Sequence, residues 1–359
     1  MKKCAVIMAG GTGERFWPKS RKGLPKQFLA LSDDDDETMI QKTIKRIAGF
    51  VSYDDIYVVT NLEYKDIVEQ QLPMLASENI LSEPCAKNTA PCIAYAAAAI
   101  LNKYDDAVMV VLPSDHLIRY DAMFLDTITQ AAMVAEDDDC LVTVGIVPTY
   151  PETGYGYIKF RPNPENSSRF VYTVDEFVEK PSLDEAKEFI NSGKYLWNSG
   201  MFIWKASVIV EKIKAMLPEL FAFFEEIKKN IHAENSKSSI EQCYARIGCI
   251  SIDYGILEHS DKIYTIPGNF GWDDVGSWLA MERINRTNEQ GNIEMGDIVT
   301  VDTTNSIIFG NKRLIAAVGL SDTIIVDTDD AILVCDKNST QNIKKVINRL
   351  RETKRTELL

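Results

Sequence analysis

The stretch Gly10-Gly11-Thr12-Gly13-Glu14-Arg15 follows the apolar run Cys4–Ala9 without interruption. Glycines at the end of a strand let backbone N–H groups approach an anion with no Cβ in the way, so this turn is suited to phosphate. Arg15, Arg21 and Lys26 crowd positive charge close behind it, in Ser20-Arg21 and Pro25-Lys26-Gln27-Phe28. A triphosphate bears about four negative charges, which calls for several fixed cations and a metal ion. Two familiar phosphate loops do not fit. Phe16 stands where a dinucleotide fingerprint needs its third glycine, and no Gly-Lys-Ser/Thr is present. Two carboxylates could hold the metal. Asp115, in Pro113-Ser114-Asp115-His116, closes the apolar run Ala107–Leu112, and Asp274 lies in the glycine- and tryptophan-framed segment from Phe270 to Trp278. Oxygen donors of this kind suit a divalent cation such as Mg²⁺. Asp115 could instead cap the turn that follows it, and the aspartates before Gly276 could be solvated or cap a helix. His116 reads as a structural neighbour rather than a base.

These residues need rigid elements to carry them. From residue 4 to about 146, short apolar runs alternate with helical periodicity: Ala5–Ala9 then Met39–Phe50, Ile56–Thr60 then Glu63–Leu75, Ala107–Leu112 then Met123–Ala135, and Leu141–Ile146. This alternation predicts parallel strands with crossover helices, an α/β fold with a mostly parallel central sheet. Asn88-Thr89-Ala90-Pro91 opens an alanine-rich helix reaching about Tyr104. Further strands are expected at Tyr155–Phe160, Arg169–Glu179, Met201–Trp204 and Lys262–Pro267, and helices at Leu183–Asn191, capped by Ser182, and Ala206–Leu217. Ile231–Ser239 reads as an exposed loop, and the acidic run Asp33–Asp36 as solvated. After a polar joint at 285–292, five short β-like runs and a helix over Thr340–Thr353 form a small β module. The expected domains are 1–290 and 291–359.

Lys+Arg 39 against Asp+Glu 53 leaves a net charge of −14 in 359 residues, which disfavours nucleic acid and an anionic membrane surface as partners. Seven scattered cysteines with no C-x-x-C pair give neither a zinc site nor a disulfide framework, and reduced thiols suit a cytoplasmic protein. No apolar run approaches the ~20 residues of a membrane span, and the N-terminal run is too short for a signal peptide.

In order along residues 4 to about 280, eleven segments resemble the sugar nucleotidyltransferases, and within them the mannose-1-phosphate guanylyltransferase family. They are Gly10-Gly11-Thr12-Gly13-Glu14-Arg15-Phe16-Trp17-Pro18, Ser20-Arg21, Pro25-Lys26-Gln27-Phe28-Leu29, Glu83-Pro84, Asn88-Thr89-Ala90-Pro91, Pro113-Ser114-Asp115-His116, Pro151-Glu152-Thr153-Gly154-Tyr155-Gly156-Tyr157-Ile158, Phe177-Val178-Glu179-Lys180-Pro181, Trp197-Asn198-Ser199-Gly200-Met201-Phe202, Ser251-Ile252-Asp253 and the Trp272–Trp278 segment. The resemblance implies a Rossmann-like nucleotidyltransferase domain followed by a β-helix-like module ending in a helix. It implies transfer of a guanylyl group from GTP to mannose 1-phosphate with release of pyrophosphate. Gly10, Gly11, Thr12 and Gly13 would then cradle the nucleotide, Glu83, Asn88 and Thr89 would face the base, and Arg15 and Lys26 would balance the triphosphate. Asp115 and Asp274 would carry Mg²⁺ or another divalent cation. Gly154, Glu179, Lys180 and Asn198 would take the sugar phosphate, Lys180 its phosphate group. Isomerase activity, carried by a fused domain in longer relatives, is not expected, and the C-terminal module is expected to serve packing or homodimer contacts. The competing expectations are another hexose 1-phosphate or nucleotide, and a silent regulatory protein that only binds nucleotide sugar.

Overall fold

The computed structural model describes residues 1–31, 36–163, 170–231, 233 and 236–359. Asp33, Asp34 and Asp35 of the acidic run, and Arg169 at the start of an expected strand, lie outside the described residues. By internal packing the chain forms two compact units. One comprises Met1–Gly10, Ile44–Ser114 and Ile118–Trp272, the other Gly11–Thr43, Asp115–Leu117 and Asp273–Leu359.

The first unit is built on a nine-stranded sheet. Its strands are β1 (Lys2–Ala9), β2 (Ile56–Asn61), β3 (Ile80–Glu83), β4 (Ala107–Pro113), β5 (Leu141–Ile146), β6 (Gly156–Pro162), β7 (Tyr172–Glu179), β8 (Tyr195–Lys205) and β9 (Ile263–Gly268), in the order β3-β2-β1-β4-β8-β5-β9-β7-β6. Seven of them, β1 to β6 and β9, run the same way, and only β7 and β8 oppose them. The β1, β2, β4 and β5 runs are buried on both faces, as their unbroken Val, Ile and Ala content requires. The helices of this unit are the C-terminal half of α1 (Met39–Ile47), α2 (Lys65–Gln71), α3 (Thr89–Lys103), α4 (Asp121–Asp137), α5 (Leu183–Ser192), α6 (Ala206–Met216), α7 (Pro218–Asn230), α8 (Ser236–Arg246) and α9 (Ile252–Gly255). Asn88 caps α3 by accepting the Thr89 N–H at 2.8 Å, and Ser182 and Glu185 form a reciprocal capping box on α5.

Beyond elements such as α7 and the strand Ile293–Met295, for which the sequence carried no expectation, three elements differ from the sequence expectation. β3 has only four residues before Pro84, too few to register as a run. Ser236–Ser239, expected in an exposed loop, is the first turn of α8, because Ile240, Cys243, Tyr244 and Ile247 recur at helical spacing and bury in the core beneath. β8 extends far beyond Met201–Trp204, and its register against β5 shifts between Thr143 and Gly145, which absorbs the turn-like Asn198-Ser199-Gly200.

The second unit holds β10 (Ile293–Met295), β11 (Ile298–Val301), β12 (Ile307–Phe309), β13 (Ile315–Val318), β14 (Thr323–Asp327) and β15 (Ile332–Asp336), with α10 (Met281–Ile284) and α11 (Ile343–Glu352). Successive coils stack in parallel: β10 on β12 on β14, and β11 on β13, with Ile293, Ile307 and Ile324 aligned inside. β15 ends the stack by pairing antiparallel with β14. These isoleucines share one apolar cluster with Phe16, Trp17, Trp278 and the α11 residues Ile343 and Ile347. The Trp278 indole also donates to the Trp17 carbonyl at 3.1 Å.

Candidate active site

In the second unit, Thr12 and Gly13 of the glycine turn, Lys26, Asp115 and Asp274 line one open cavity of about 330 Å³, together with Arg15, His116 and Lys344, whereas Gly10 and Gly11 are not among its lining residues. Gly13 has φ +59, and a Cβ there would lie 2.6 Å from the Lys26 Cβ and 2.7 Å from its backbone nitrogen, so glycine is obligatory. Ser20 donates to the Gly13 carbonyl at 2.8 Å and Gln27 to the Gly11 carbonyl at 2.9 Å, which fixes the shape of the turn. Lys26 is 5% exposed, and its ammonium donates to the carbonyls of Asp274 at 2.8 Å and Val275 at 3.1 Å and pairs with Asp115 Oδ2 at 2.7 Å. Val275 sits at φ +49, a strained position for a β-branched residue, and Asp273 and Lys26 hold it there from both sides.

The two neighbouring aspartates behave differently. Asp273 accepts from Arg283 and from the Val275 N–H, so its oxygens are taken by structure. Asp274 lines the cavity and accepts the Gly276 N–H at 3.0 Å. At Asp115, burial acts to raise the carboxyl pKa, but the adjacent Lys26 charge prevails and holds it below the usual range. Burial and the Lys26 charge push the His116 imidazole below its usual range, against the pull of the nearby aspartates. No group of three or more His, Cys, Asp and Glu gathers as a metal cage among the described residues. Two carboxylates lining one cavity instead match a Mg²⁺-like ion, which takes one or two protein carboxylates and fills its shell with phosphate and water oxygens. The donor set therefore fits such an ion.

The first unit carries the other predicted residues at the carboxyl edge of its sheet. Register pairs Ala9 with Thr60, and Asn61 with Glu83, bringing the ends of β1, β2 and β3 level. Glu83 is 4% exposed, and its Oε1 accepts the Tyr244 hydroxyl at 2.9 Å. A Cβ on Gly10 would lie 3.5 Å from Glu83 Oε2 and 3.8 Å from Asn61 Oδ1, a buried oxygen with no donor of its own. Burial pushes the Glu83 carboxyl up to about 7, with Tyr244 pulling the other way. Asn88 is held at φ +71, and the Thr89 hydroxyl accepts the Ile252 N–H at 2.8 Å, tying that turn to the start of α9.

Asn198 pairs with Gly145, and Trp197 with Ile146 and Tyr157, so these residues share the carboxyl edge of β5. Asn198 donates to Asp253 at 2.9 Å and accepts the Gly200 N–H at 3.1 Å. Burial raises both Asp253 and Glu179, and the Asp253 charge adds to the effect on Glu179 against the pull of Lys180. Lys180 is exposed at φ +48, its ammonium 3.9 Å from Glu179. Tyr155 meets Trp197 and Trp272 edge-on, each at 5.3 Å, forming an aromatic wall. Gly154 is exposed and next to Glu152 alone among the described residues, whereas a Cβ on Gly156 would press on the Glu179 carboxylate and displace it.

A family model described as "Nucleotidyl transferase" matches residues 4–291, and one described as "MannoseP isomerase/GMP-like beta-helix domain" matches 296–350. The chain is 38% identical to mannose-1-phosphate guanylyltransferase 2 of Escherichia coli O157:H7, over 99% of this chain and 75% of that protein. It is 38% identical to the mannose-1-phosphate guanylyltransferase of Salmonella muenchen, over 98% of this chain and 74% of that one. The chain belongs to the nucleotidyl transferase family, in its mannose-1-phosphate guanylyltransferase branch. A Thermus thermophilus crystal structure, described as a mannose-1-phosphate geranyltransferase, superimposes with a TM-score of 0.88 at 31% identity, covering 98% of this chain and all of that one. The fold is thus the Rossmann-like guanylyltransferase fold with a β-helix-like module, and the chain is an enzyme of this class.

Several neighbours of the predicted residues in this guanylyltransferase were not assigned from sequence. Ser20, Gln27, Gly156 and Asp253 lie inside the quoted motifs, where local chemistry alone does not separate a supporting residue from a contacting one. Asn61, Tyr244 and Lys344 carry no motif, since cross-strand register and helix packing bring them in.

Proposed function

We propose that the chain joins GTP and mannose 1-phosphate into GDP-mannose and pyrophosphate with the residues described above. A sugar-phosphate oxygen attacks the α-phosphorus in line, the bond from that phosphorus to the β-phosphate bridge breaks, and pyrophosphate leaves on the far side. Such a displacement needs alignment and charge stabilisation rather than a protein nucleophile. Gly11, Thr12 and Gly13 offer backbone N–H groups to the triphosphate, and Arg15 adds charge. Lys26 orients Asp115 and lends positive potential from beneath. Asp115 and Asp274 hold a divalent cation, which when bound neutralises charge at the phosphates. Glu179, Asn198 and the close-packed Gly156 face the sugar hydroxyls, with Tyr155, Trp197 and Trp272 as the apolar wall, and Lys180 takes the sugar phosphate. The free cysteines suit a reducing cytoplasm, and among the described residues no helix is long and apolar enough to cross a membrane.

The observation that carries the choice of base is the pair of acceptors flanking Gly10, Glu83 Oε2 and Asn61 Oδ1. Guanine presents two adjacent N–H donors on its pairing edge, and ionised Glu83 with Asn61 matches them, whereas uracil and thymine offer one. Pyrophosphate release with Mg²⁺ over four nucleoside triphosphates and three hexose 1-phosphates tests this. Signal confined to GTP with mannose 1-phosphate is expected, and signal elsewhere overturns the specificity.

With Tyr244 donating to Oε1, Oε2 accepts a base N–H when Glu83 is ionised, and this carboxyl is pushed up to about 7, so KM for GTP should rise about tenfold as pH falls from 8 to 6. Folding responds in the opposite direction. The raised pKa makes the protonated form the better-tolerated one, so its stabilisation is full below the unfolded value near 4.5 and is lost as pH rises through about 7. Glu83→Gln should flatten both profiles. A pH-independent KM in the parent protein would remove Glu83 from base recognition.

A further inference from the structure

The phosphate cavity has a cationic wall that the residues assigned so far do not complete. An ammonium group has three N–H donors. Those of Lys26 face Asp115 and the carbonyls of Asp274 and Val275, so this lysine cannot grip phosphate without abandoning Asp115. The other cations lining the cavity are Arg15 and Lys344. Arg15 reaches the Gly276 carbonyl at 3.5 Å. Lys344 is exposed and has no hydrogen-bond or ion-pair partner among the described residues.

Lys344 comes from the first turn of α11, in the C-terminal β module. Two features fix its position. Ile343 and Ile347 bury one face of the helix in the cluster that contains Phe16 and Trp17. Arg351 lies seven residues on, two turns along the same face as Lys344, and pairs with Glu14 at 2.5 Å. Both anchors fall at the end of the glycine turn farthest along the chain from Gly10. Most of a triphosphate's charge lies on its β- and γ-phosphates, so a cation added to this wall acts most on those two.

We propose that Lys344 grips the β- and γ-phosphates of the nucleoside triphosphate, and the pyrophosphate formed from them, and that presenting this lysine is a function of the C-terminal module. The proposal rests on reading this cavity as the triphosphate site. It assigns the module a part in substrate binding, in addition to packing.

Calorimetric titration of the full chain with GTP, GMP and Mg²⁺-pyrophosphate tests it. Lys344→Ala should weaken GTP and pyrophosphate about tenfold, the effect of losing one exposed charge-assisted contact, and leave GMP within twofold. KM for pyrophosphate in the reverse reaction should rise by a similar factor. Lys344→Arg should recover most of the loss. Lys345→Ala, which removes the same charge from the adjacent exposed position, should change none of these values. Unchanged GTP affinity in Lys344→Ala, or equal losses for GTP and GMP, would overturn the assignment. If the protein proves to use a different base, the reading of Glu83 and Asn61 falls, and comparing that triphosphate with its monophosphate still decides the role of Lys344.

Discussion

Lys26→Ala should lower the rate of guanylyl transfer about a thousandfold and destabilise the second unit by roughly 2–4 kcal/mol. Both effects have one origin. The ammonium ties the Lys26–Phe28 turn, which packs against Gly13, to three acceptors from two distant segments: the Asp115 carboxylate after β4, and the two carbonyls of the Asp274-Val275 loop. Truncation leaves two carbonyls and a carboxylate without their donor, and the carboxylate is only one-third exposed. Asp115 then loses its orientation, and Val275 loses one of the contacts that hold it at positive φ. Lys26→Arg should not rescue the rate, because a planar guanidinium cannot direct donors to three acceptors arranged around a point. Single-turnover pyrophosphate release and urea unfolding of the full chain measure the two effects separately. Activity above a tenth of the parent in Lys26→Ala would show that the lysine is not the organiser of this cavity.

Asp115→Asn should cost a hundredfold or more in rate with little loss of stability. The amide keeps the size of the carboxylate, and its oxygen can still accept from Lys26, so the cavity wall stays in place. What disappears is the negative charge that draws a divalent cation. The Mg²⁺ concentration for half-maximal activity should therefore rise at least tenfold, while the denaturation midpoint moves little. Parent-like turnover at low Mg²⁺ would remove Asp115 from the mechanism. This pattern differs from that of Lys26→Ala, in which rate and stability fall together.

The glycine turn, the two carboxylate segments and the order of strands and helices were legible in the sequence, because each is a local pattern. An apolar run that ends in glycines, or an alanine-rich stretch opened by Asn88, has only a few physical solutions whatever surrounds it. A small β module was legible for the same reason, since short β runs separated by turn residues repeat along its length, while its β-helix-like character came from the family resemblance. The sequence alone therefore determined an α/β enzyme that handles phosphate, with its candidate groups at the carboxyl ends of strands.

Tertiary structure decided which groups face the ligand and which support them. Asp273 and Asp274 are equivalent in sequence, and only Arg283, ten residues beyond Asp273, consigns Asp273 to structure. Gly154 and Gly156 look alike until the β6–β7 register sets Gly156 against Glu179. Tyr244 reaches Glu83 across 161 residues because α8, whose polar first turn resembles a loop, buries one face in the core. Lys344 is one of many lysines until α11 docks on Phe16 and Trp17. The physical reason is common to all four. Side-chain type and local period are properties of neighbouring residues, whereas register, burial and charge pairing join residues far apart in the chain and exist only once the core has packed.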